Sequence, residues 1–372
     1  MSKLTKYGKS GRYVRKTFTY NGIRHYIYGS SEEELFEKKK KAIKLLEDNE
    51  EKRVNPTLDE YYEELTDRRR REQKGSTLRA QRSQYNTLSE VKLMNNVNLG
   101  KMRIKEVKKS DIEYVRTYLL KNGKSPENLN IIIAHLNHIF ECAVKDDIIT
   151  KNPIKALKKL RRESETVNET KHRALSIDET QKFLKVAEDR KSIYINCFKM
   201  MLLTGTRLGE LGALNDIDFD STKGKLHIRK TISRDEAGSY YISKDLKTKS
   251  GRRDIPLVDE MITVMKSQKE LNLLIFGTES TDSLFRSSDN QLLREYTLNR
   301  EIKRICKDAG VRYFTSHAFR NTFATRFLEQ KPWEIKMLSE ILGHSDVSIT
   351  YKYYAHVMDE NKNKAMNEVK IF

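Results

Sequence analysis

The chain has 372 residues and a formal net charge of +19, from 72 Lys and Arg against 53 Asp and Glu. That length holds two or three domains with modest cores. The charge attracts polyanions, with nucleic acid the leading partner, although a merely Lys-rich soluble protein would carry the same excess.

Three scattered cysteines, Cys142, Cys197 and Cys306, form neither a disulfide framework nor a Cys-x-x-Cys metal site, which points to a reducing compartment. No stretch approaches the roughly 18 apolar residues of a membrane span. The basic N-terminus lacks the apolar core of a signal peptide. A soluble, cytoplasmic protein with no membrane partner is expected.

Arg12 to Tyr28 reads as a β-hairpin turning at Asn21-Gly22, a pair that tolerates positive φ at both positions. Ser31 and Glu34 have capping-box spacing and open a helix to about Glu47. Arg12, Arg15, Lys16, Arg24 and His25 on these strands could enter a DNA groove, or form a solvated basic hairpin. Asp48 to Pro56 is charged, has no apolar period and ends in Asn-Pro, so a linker is expected.

Thr57 and Glu60 cap the next helix, and the pattern stays helical to about Leu160, with breaks near Gly75, Gly100, Gly123-Pro126 and Asn152-Pro153. Ile131, Ile132, Leu136, Ile139, Phe140 and Ala143 recur at helical spacing as a core-facing stripe. His135 and His138 beside it have a structural reading. The four arginines Arg68 to Arg71 fit a solvated helix face or, with Arg69 among them, a phosphate-facing one.

Arg161 to Arg173 reads as a second linker. Ser176 and Glu179 repeat the capping-box spacing, and Ile193 to Leu203 is helical. Strand-like segments follow at Leu226 to Thr231, Ser239 to Ile242 and Arg253 to Leu257. Helices resume at Asp259-Glu260 and dominate from Tyr296. The lone tryptophan, Trp333, is expected in the core.

The chemistry-bearing residues all follow the second linker. They are Arg207 in Thr204-Gly205-Thr206-Arg207, Lys247, His317 and Arg320 in His-Ala-Phe-Arg, His344 in Leu-Gly-His-Ser, and Tyr354 in Tyr-Ala-His. Cations plus one tyrosine, without a carboxylate cluster, suit covalent chemistry on a phosphodiester. Charge developing on the non-bridging and leaving oxygens requires preorganised donors, and guanidinium binds two phosphate oxygens at once. Arg207 and Arg320 form the expected clamp, with Glu210 placed to hold Arg207, although an Arg in a Gly-containing turn also has ordinary structural uses. His344 could donate to a phosphate oxygen or hold the leaving group. The spacings of 27 and 12 between His317, His344 and His356 match no compact zinc pattern, so no metal or other cofactor is expected.

These motifs, in this order and spacing, resemble tyrosine recombinases, the phage and conjugative-transposon integrase family. The resemblance covers roughly Ser176 to Met358 and extends more loosely upstream. It implies a multi-domain, mainly α protein with small β-sheets: an arm-type DNA-binding module of a three-stranded sheet plus helix at 1–50, a helical, SAM-like core-binding domain at 57–160, and a mixed α+β catalytic domain at 173–372. It further implies metal- and ATP-independent transesterification, in which Tyr354 attacks the scissile phosphate and leaves a 3′-phosphotyrosine and a free 5′ hydroxyl. The family's lysine, on a β-hairpin, protonates the 5′ oxygen; Lys247 fits that register and Lys249 rivals it. Tyr351, Tyr353 and Tyr354 crowd the nucleophile position; the following Ala355-His356 favours Tyr354, and Tyr353 rivals it.

Arg15, Lys16, Arg24, Arg69, Lys249 and Arg252, with Arg12, are the expected DNA contacts. Double-stranded attachment sites and a tetramer exchanging its C-terminal segments on DNA are the implied partners, with an excisionase-type directionality factor a further possibility. The apolar end Val369-Lys370-Ile371-Phe372 is the expected exchanging tail, or else packs on its own domain. A bacterial, nucleoid-associated location follows. Where the family often carries Leu-x-Trp-x-Asp, this chain has Leu214-Asn215-Asp216-Ile217-Asp218, a change expected to affect packing. Two other classes stay open, a DNA-binding protein without catalysis and a type IB topoisomerase.

Overall fold

The computed structural model describes residues 5–6, 14–161, 173–246, 249–279, 282–348 and 350–351. It divides into two compact units, 1–162 and 163–372. Arg12, Lys247, Tyr353, Tyr354, His356, the tail Val369 to Phe372 and most of the second linker lie outside the described residues.

The first unit begins with an antiparallel sheet of β1 (Thr5–Lys6), β2 (Val14–Tyr20) and β3 (Ile23–Gly29), in that order. Asn21 and Gly22 turn the hairpin with φ of 45° and 78°, the double positive φ that a two-residue turn requires. Phe18 and Ile27 point to one face and pack with Leu35 of α1 (Glu32–Val54). The other face carries Arg15, Arg24, Tyr26 and Tyr28, with the Arg15 guanidinium 5.1 Å from the Tyr26 ring centroid. Lys16 shares the face of Phe18 and sits 3.9 Å from Glu32, so it does not stand with Arg15 and Arg24.

The segment expected as a linker is helix through Val54. Its Glu, Lys and Arg residues are good helix formers, and nothing breaks the run before Asn55-Pro56, where proline disfavours helical backbone at the residue ahead of it. At the other end of α1, Glu34 N–H donates to Ser31 Oγ (3.1 Å), while the Glu34 carboxylate accepts from Ser30 N–H (2.7 Å) and pairs with Lys38.

Among the described residues, four further α-helices follow in the unit: α2 (Leu58–Arg69), α3 (Gly75–Ser89), α4 (Lys109–Lys121) and α5 (Pro126–Lys145). Thr57 and Glu60 cap α2 reciprocally, as their spacing predicts. The α5 stripe is buried at Ile132, Leu136, Ile139, Phe140 and Ala143, but Ile131 is 56% exposed because it lies one position outside that face. His135 packs edge-on to Tyr62, and burial pushes its pKa down to about 4. Arg68 is committed to Asp146 and the Tyr61 ring, and Arg70 pairs with Asp67 at 2.8 Å.

The second unit is built from α6 (Ile177–Asp189), α7 (Ile195–Thr204), α8 (Leu208–Leu211), α9 (Asp259–Phe276), α10 (Glu295–Ala309), α11 (His317–Gln330) and α12 (Ile335–Leu342). An antiparallel sheet pairs β4 (Phe219–Asp220) and β8 (Arg253–Pro256) on either side of β5 (Lys225–Ile228); β6 (Thr231–Arg234) and β7 (Tyr240–Ser243) form a separate hairpin. The strand expected from Leu226 to Thr231 therefore splits between two sheets. Phe183, Phe198, Phe314 and Phe319 pack at centroid distances of 5.0 to 5.6 Å at the centre of the core. They fix α11 against α6 and α7, which carry the site's framework.

Trp333 is not in the core: it is 63% exposed in the turn between α11 and α12. Ala324, Leu328, Leu338 and Leu342, flanked by Phe323, Phe327 and Ile335, fill the seam between those helices and leave the indole outside it. Cys197 and Cys306 are buried free thiols, and burial raises the Cys306 pKa to about 11. Among the described residues no helix is long and apolar enough to cross a membrane.

Candidate active site

The site starts at the end of α7. Gly205 adopts φ 62° and caps that helix, donating to Met201 O at 2.9 Å. A Cβ here would come 2.4 Å from Phe323 Cδ1, so both conformation and space require glycine. The buried hydroxyls of Thr204 and Thr206, 2.9 Å apart, brace the same turn. The chain thus arrives at Arg207 in a fixed direction.

Arg207 caps α8. Its backbone N–H and its Nη1 donate to the two oxygens of Glu210, at 3.0 and 2.8 Å, as the sequence spacing predicts. Glu210 is only 3% exposed and serves a second arginine: Arg253 Nη2 lies 2.8 Å from Oε2. Burial pushes the Glu210 pKa up, but Arg253 and Arg207 outweigh it and hold the carboxyl below its ordinary value. Arg253 also donates to Gly251 O at 3.1 Å and, through Nε, to Ile341 O at the end of α12.

Sequence reasoning singled out Arg252 and passed over Arg253. Arg252 is exposed and donates to Lys244 O, whereas Arg253 points inward. The signal was present: Arg253 and Ile255 alternate on β8 as the buried pair, and an inward arginine in a strand demands a buried acceptor.

Arg320 is the second deeply placed guanidinium, 6% exposed on α11. Nη1 donates to Gly205 O and Nη2 to Leu342 O, both at 2.8 Å, so Arg320 ties the Arg207 turn to the end of α12. Gly343 ends that helix with φ 69°, and a Cβ there would meet Ser250 O at 2.9 Å and Arg253 at 3.0 Å. The turn therefore packs on the β8 approach and delivers His344 to Arg320, with Nη2 2.9 Å from Nε2.

A guanidinium can only donate, so His344 Nε2 is an acceptor. Nδ1, 2.7 Å from Thr350 Oγ1, carries the ring proton and donates to that hydroxyl. Burial, followed by the charges of Arg320, Arg207 and Arg253, lowers the His344 pKa to about 4, so the ring is neutral near pH 7. The sequence offers His344 as a donor to a phosphate oxygen or a holder of the leaving group; in the free protein Nε2 is occupied as the acceptor of Arg320 Nη2.

His317 opens α11 and is exposed, three residues before the buried Arg320. Lys249 belongs to a short 3-10 turn, Lys249–Gly251, leading into β8. Lys247 and Tyr354 lie outside the described residues; Tyr351, within them, is 51% exposed. At the position where the expected pattern has tryptophan, Asp216 pairs with Lys269 of α9 at 2.9 Å, replacing an aromatic contact by an ion pair. The structure thus fixes Arg207 and Arg253 on one buried carboxylate and Arg320 on the Gly205 turn, Leu342 and His344, an arrangement able to hold an anion on fixed donors.

The Phage integrase family matches residues 173–361, and the Phage integrase SAM-like domain matches residues 57–161. A tyrosine recombinase XerC-like protein of Caldanaerobacter subterraneus subsp. tengcongensis is 28% identical, with 98% of each chain covered. The transposase from transposon Tn916 of Enterococcus faecalis is 27% identical over 75% of this chain and 69% of its own. Among solved structures, the Tn1549 transposon integrase in complex with circular intermediate DNA matches with TM-score 0.68 and 23% identity, over 84% of this chain and 100% of that one. A lambda integrase dimer bound to a core site matches with TM-score 0.63 and 17% identity, over 99% and 97%.

Proposed function

The chain belongs to the phage integrase family of tyrosine recombinases, enzymes of DNA strand transfer, and on that premise we propose that it integrates or excises a mobile element of the conjugative-transposon type. The observation that carries this reading is a pair of linked contacts: Glu210 holds both Arg207 and Arg253, and Arg320 ties the Gly205 turn ahead of Arg207 to His344, whose other nitrogen meets Thr350 in the segment leading to the tyrosines.

In the proposed reaction Tyr354 Oη attacks the scissile phosphorus while the bond to the 5′ oxygen breaks. The tyrosine proton passes to solvent water, the 5′ oxygen takes one from Lys247, and the phosphate stays on the protein as a 3′-phosphotyrosine. Rejoining reverses each step on a partner strand, so the bond energy is kept. Arg207 and Arg320 neutralise the non-bridging oxygens, whose added charge is greatest in the transition state. His317 and His344 supply further donors. Glu210 and Arg253 are positioning residues: the carboxylate fixes Arg207, and Arg253 locks that carboxylate to the Lys249–Gly251 turn and to α12.

The outward face of the N-terminal sheet, with Arg15 and Arg24 beside Tyr26, suits a DNA groove and supports an arm-type domain at 1–50, while the SAM-like match at 57–161 supports a core-binding domain at 57–160. The proposed assembly is a tetramer on two attachment sites, with the Val369 to Phe372 tail docked on a neighbour and an excisionase-type factor setting direction.

The test is trapping on a nicked duplex that carries the joined ends of the element encoding the chain. A covalent adduct absent from Tyr354→Phe is expected. An adduct retained in that variant moves the role to Tyr353 or Tyr351, and relaxation of supercoiled DNA without site preference moves the chain to the topoisomerase class.

A further inference from the structure

Among the described residues, the side chain of Thr350 ties the phosphate-binding residues to the segment bearing the tyrosines. It is fully buried, four residues ahead of Tyr354, and its Oγ1 lies 2.7 Å from His344 Nδ1. Across the same ring, Nε2 accepts from Arg320 Nη2 at 2.9 Å. The neutral imidazole has one proton, and here it sits on Nδ1.

A phosphate oxygen entering the site demands the opposite arrangement. It has no proton to give, so His344 can hold it only through Nε2–H, and Nδ1 must then accept. A carboxylate in the place of Thr350 would fix Nδ1–H in both states. A hydroxyl both donates and accepts, and changes between the two by rotation about one bond.

We propose that Thr350 is a positioning residue that sets the tautomer of His344, accepting from Nδ1–H in the free protein and donating to Nδ1 once DNA phosphate occupies the Nε2 side. One proton leaves Nδ1 and one arrives on Nε2 by exchange with solvent, so the ring stays neutral and no net proton is taken up. Arg320 Nη2, released from the ring, turns to the phosphate. The exchange links phosphate occupancy to the segment that presents the nucleophile. This inference rests on the roles proposed above for His344 and Tyr354.

Two measurements on the full-length protein test it. In the first, histidine is labelled with 15N and the His344 signals are assigned by their loss in His344→Gln. The protonated nitrogen is expected to be Nδ1 in the free protein and Nε2 in a complex of Tyr354→Phe with the joined-end duplex. Protonation of both nitrogens in the complex, or retention of Nδ1–H, overturns the proposal. In the second, single-turnover adduct formation is followed on the nicked duplex. Thr350→Val should slow it by roughly 10²-fold, the scale of losing one preorganised donor, with DNA affinity held. Thr350→Ser should restore the rate to within about threefold of the native protein, since its hydroxyl can serve the same donor. A Thr350→Val protein as fast as the native one overturns the proposal, and if that variant fails to fold the tautomer measurement decides alone. No adduct from the native protein would instead sink the recombinase reading.

Discussion

Arg253 and Glu210, 43 residues apart in the chain, meet as a buried ion pair, with Nη2 2.8 Å from Oε2 and side chains 5% and 4% exposed. The pair joins β8 to the start of α8, and the same carboxylate holds Arg207. A charge taken this far from water is stable only while its partner remains.

Removing that partner is the first prediction. Glu210→Ala leaves the Arg253 guanidinium buried without its counter-charge and should cost about 3–5 kcal/mol of stability. Glu210→Gln keeps one acceptor oxygen and should cost less, while still loosening Arg207 and slowing adduct formation. Chemical denaturation of both variants checks the order. Equal stability of Glu210→Ala and the native protein would show that the pair does not organise the site.

The glycine turns give a second prediction, because they combine conformation and contact. Gly205→Ala places a methyl 2.4 Å from Phe323 Cδ1 at φ 62°, and Gly343→Ala places one 2.9 Å from Ser250 O at φ 69°. The left-handed backbone alone costs about 1–2 kcal/mol. Phe323 is a side chain at the edge of a helix seam, whereas Ser250 O is backbone with less room to move. Gly343→Ala should therefore perturb the Arg253 turn more, and thermal melts with adduct kinetics on both variants will rank them.

Much of this site was legible as sequence because its motifs are local. Arg207 to Glu210 is a three-residue spacing within one capping turn, and Ser176 to Glu179 and Thr57 to Glu60 work the same way. What escaped was non-local or set by packing. Alternation with Ile255 marks Arg253 as inward-facing, but nothing near it names Glu210, on another element, as the partner. The helix through Val54 shows no apolar period in its last turns and is set there by the helix propensity of Glu, Lys and Arg. Trp333 was assigned by residue type, yet the seam beside it was already filled by smaller side chains.

Trp333 supplies a third prediction, in which burial decides the size of the effect. A buried tryptophan replaced by alanine costs about 3–5 kcal/mol, whereas a surface substitution stays within about 0.5 kcal/mol. At 63% exposure, Trp333→Ala should fall in the second class. Equilibrium unfolding of the isolated variant measures it directly, and a loss above about 2 kcal/mol would mean that the indole is covered in solution.

The last prediction concerns pH. His344 has its pKa lowered to about 4 in the folded chain, from an ordinary value of 6.5. Between those values the unfolded chain holds a proton at this position that the folded chain does not. Stability therefore rises with pH across the window and falls as pH is lowered from about 6.5 toward about 4. His135, also lowered to about 4, adds to the same trend, so the His344 share is read from a difference between proteins. Between pH 7 and pH 5 the native protein should lose about 1 kcal/mol more than His344→Gln, a figure halved from the full linkage value for solvent screening. Denaturant titrations of the two proteins at both pH values provide the comparison. If the native protein loses no more than the variant, His344 is charged or solvated at neutral pH, and its acceptor role toward Arg320 is wrong.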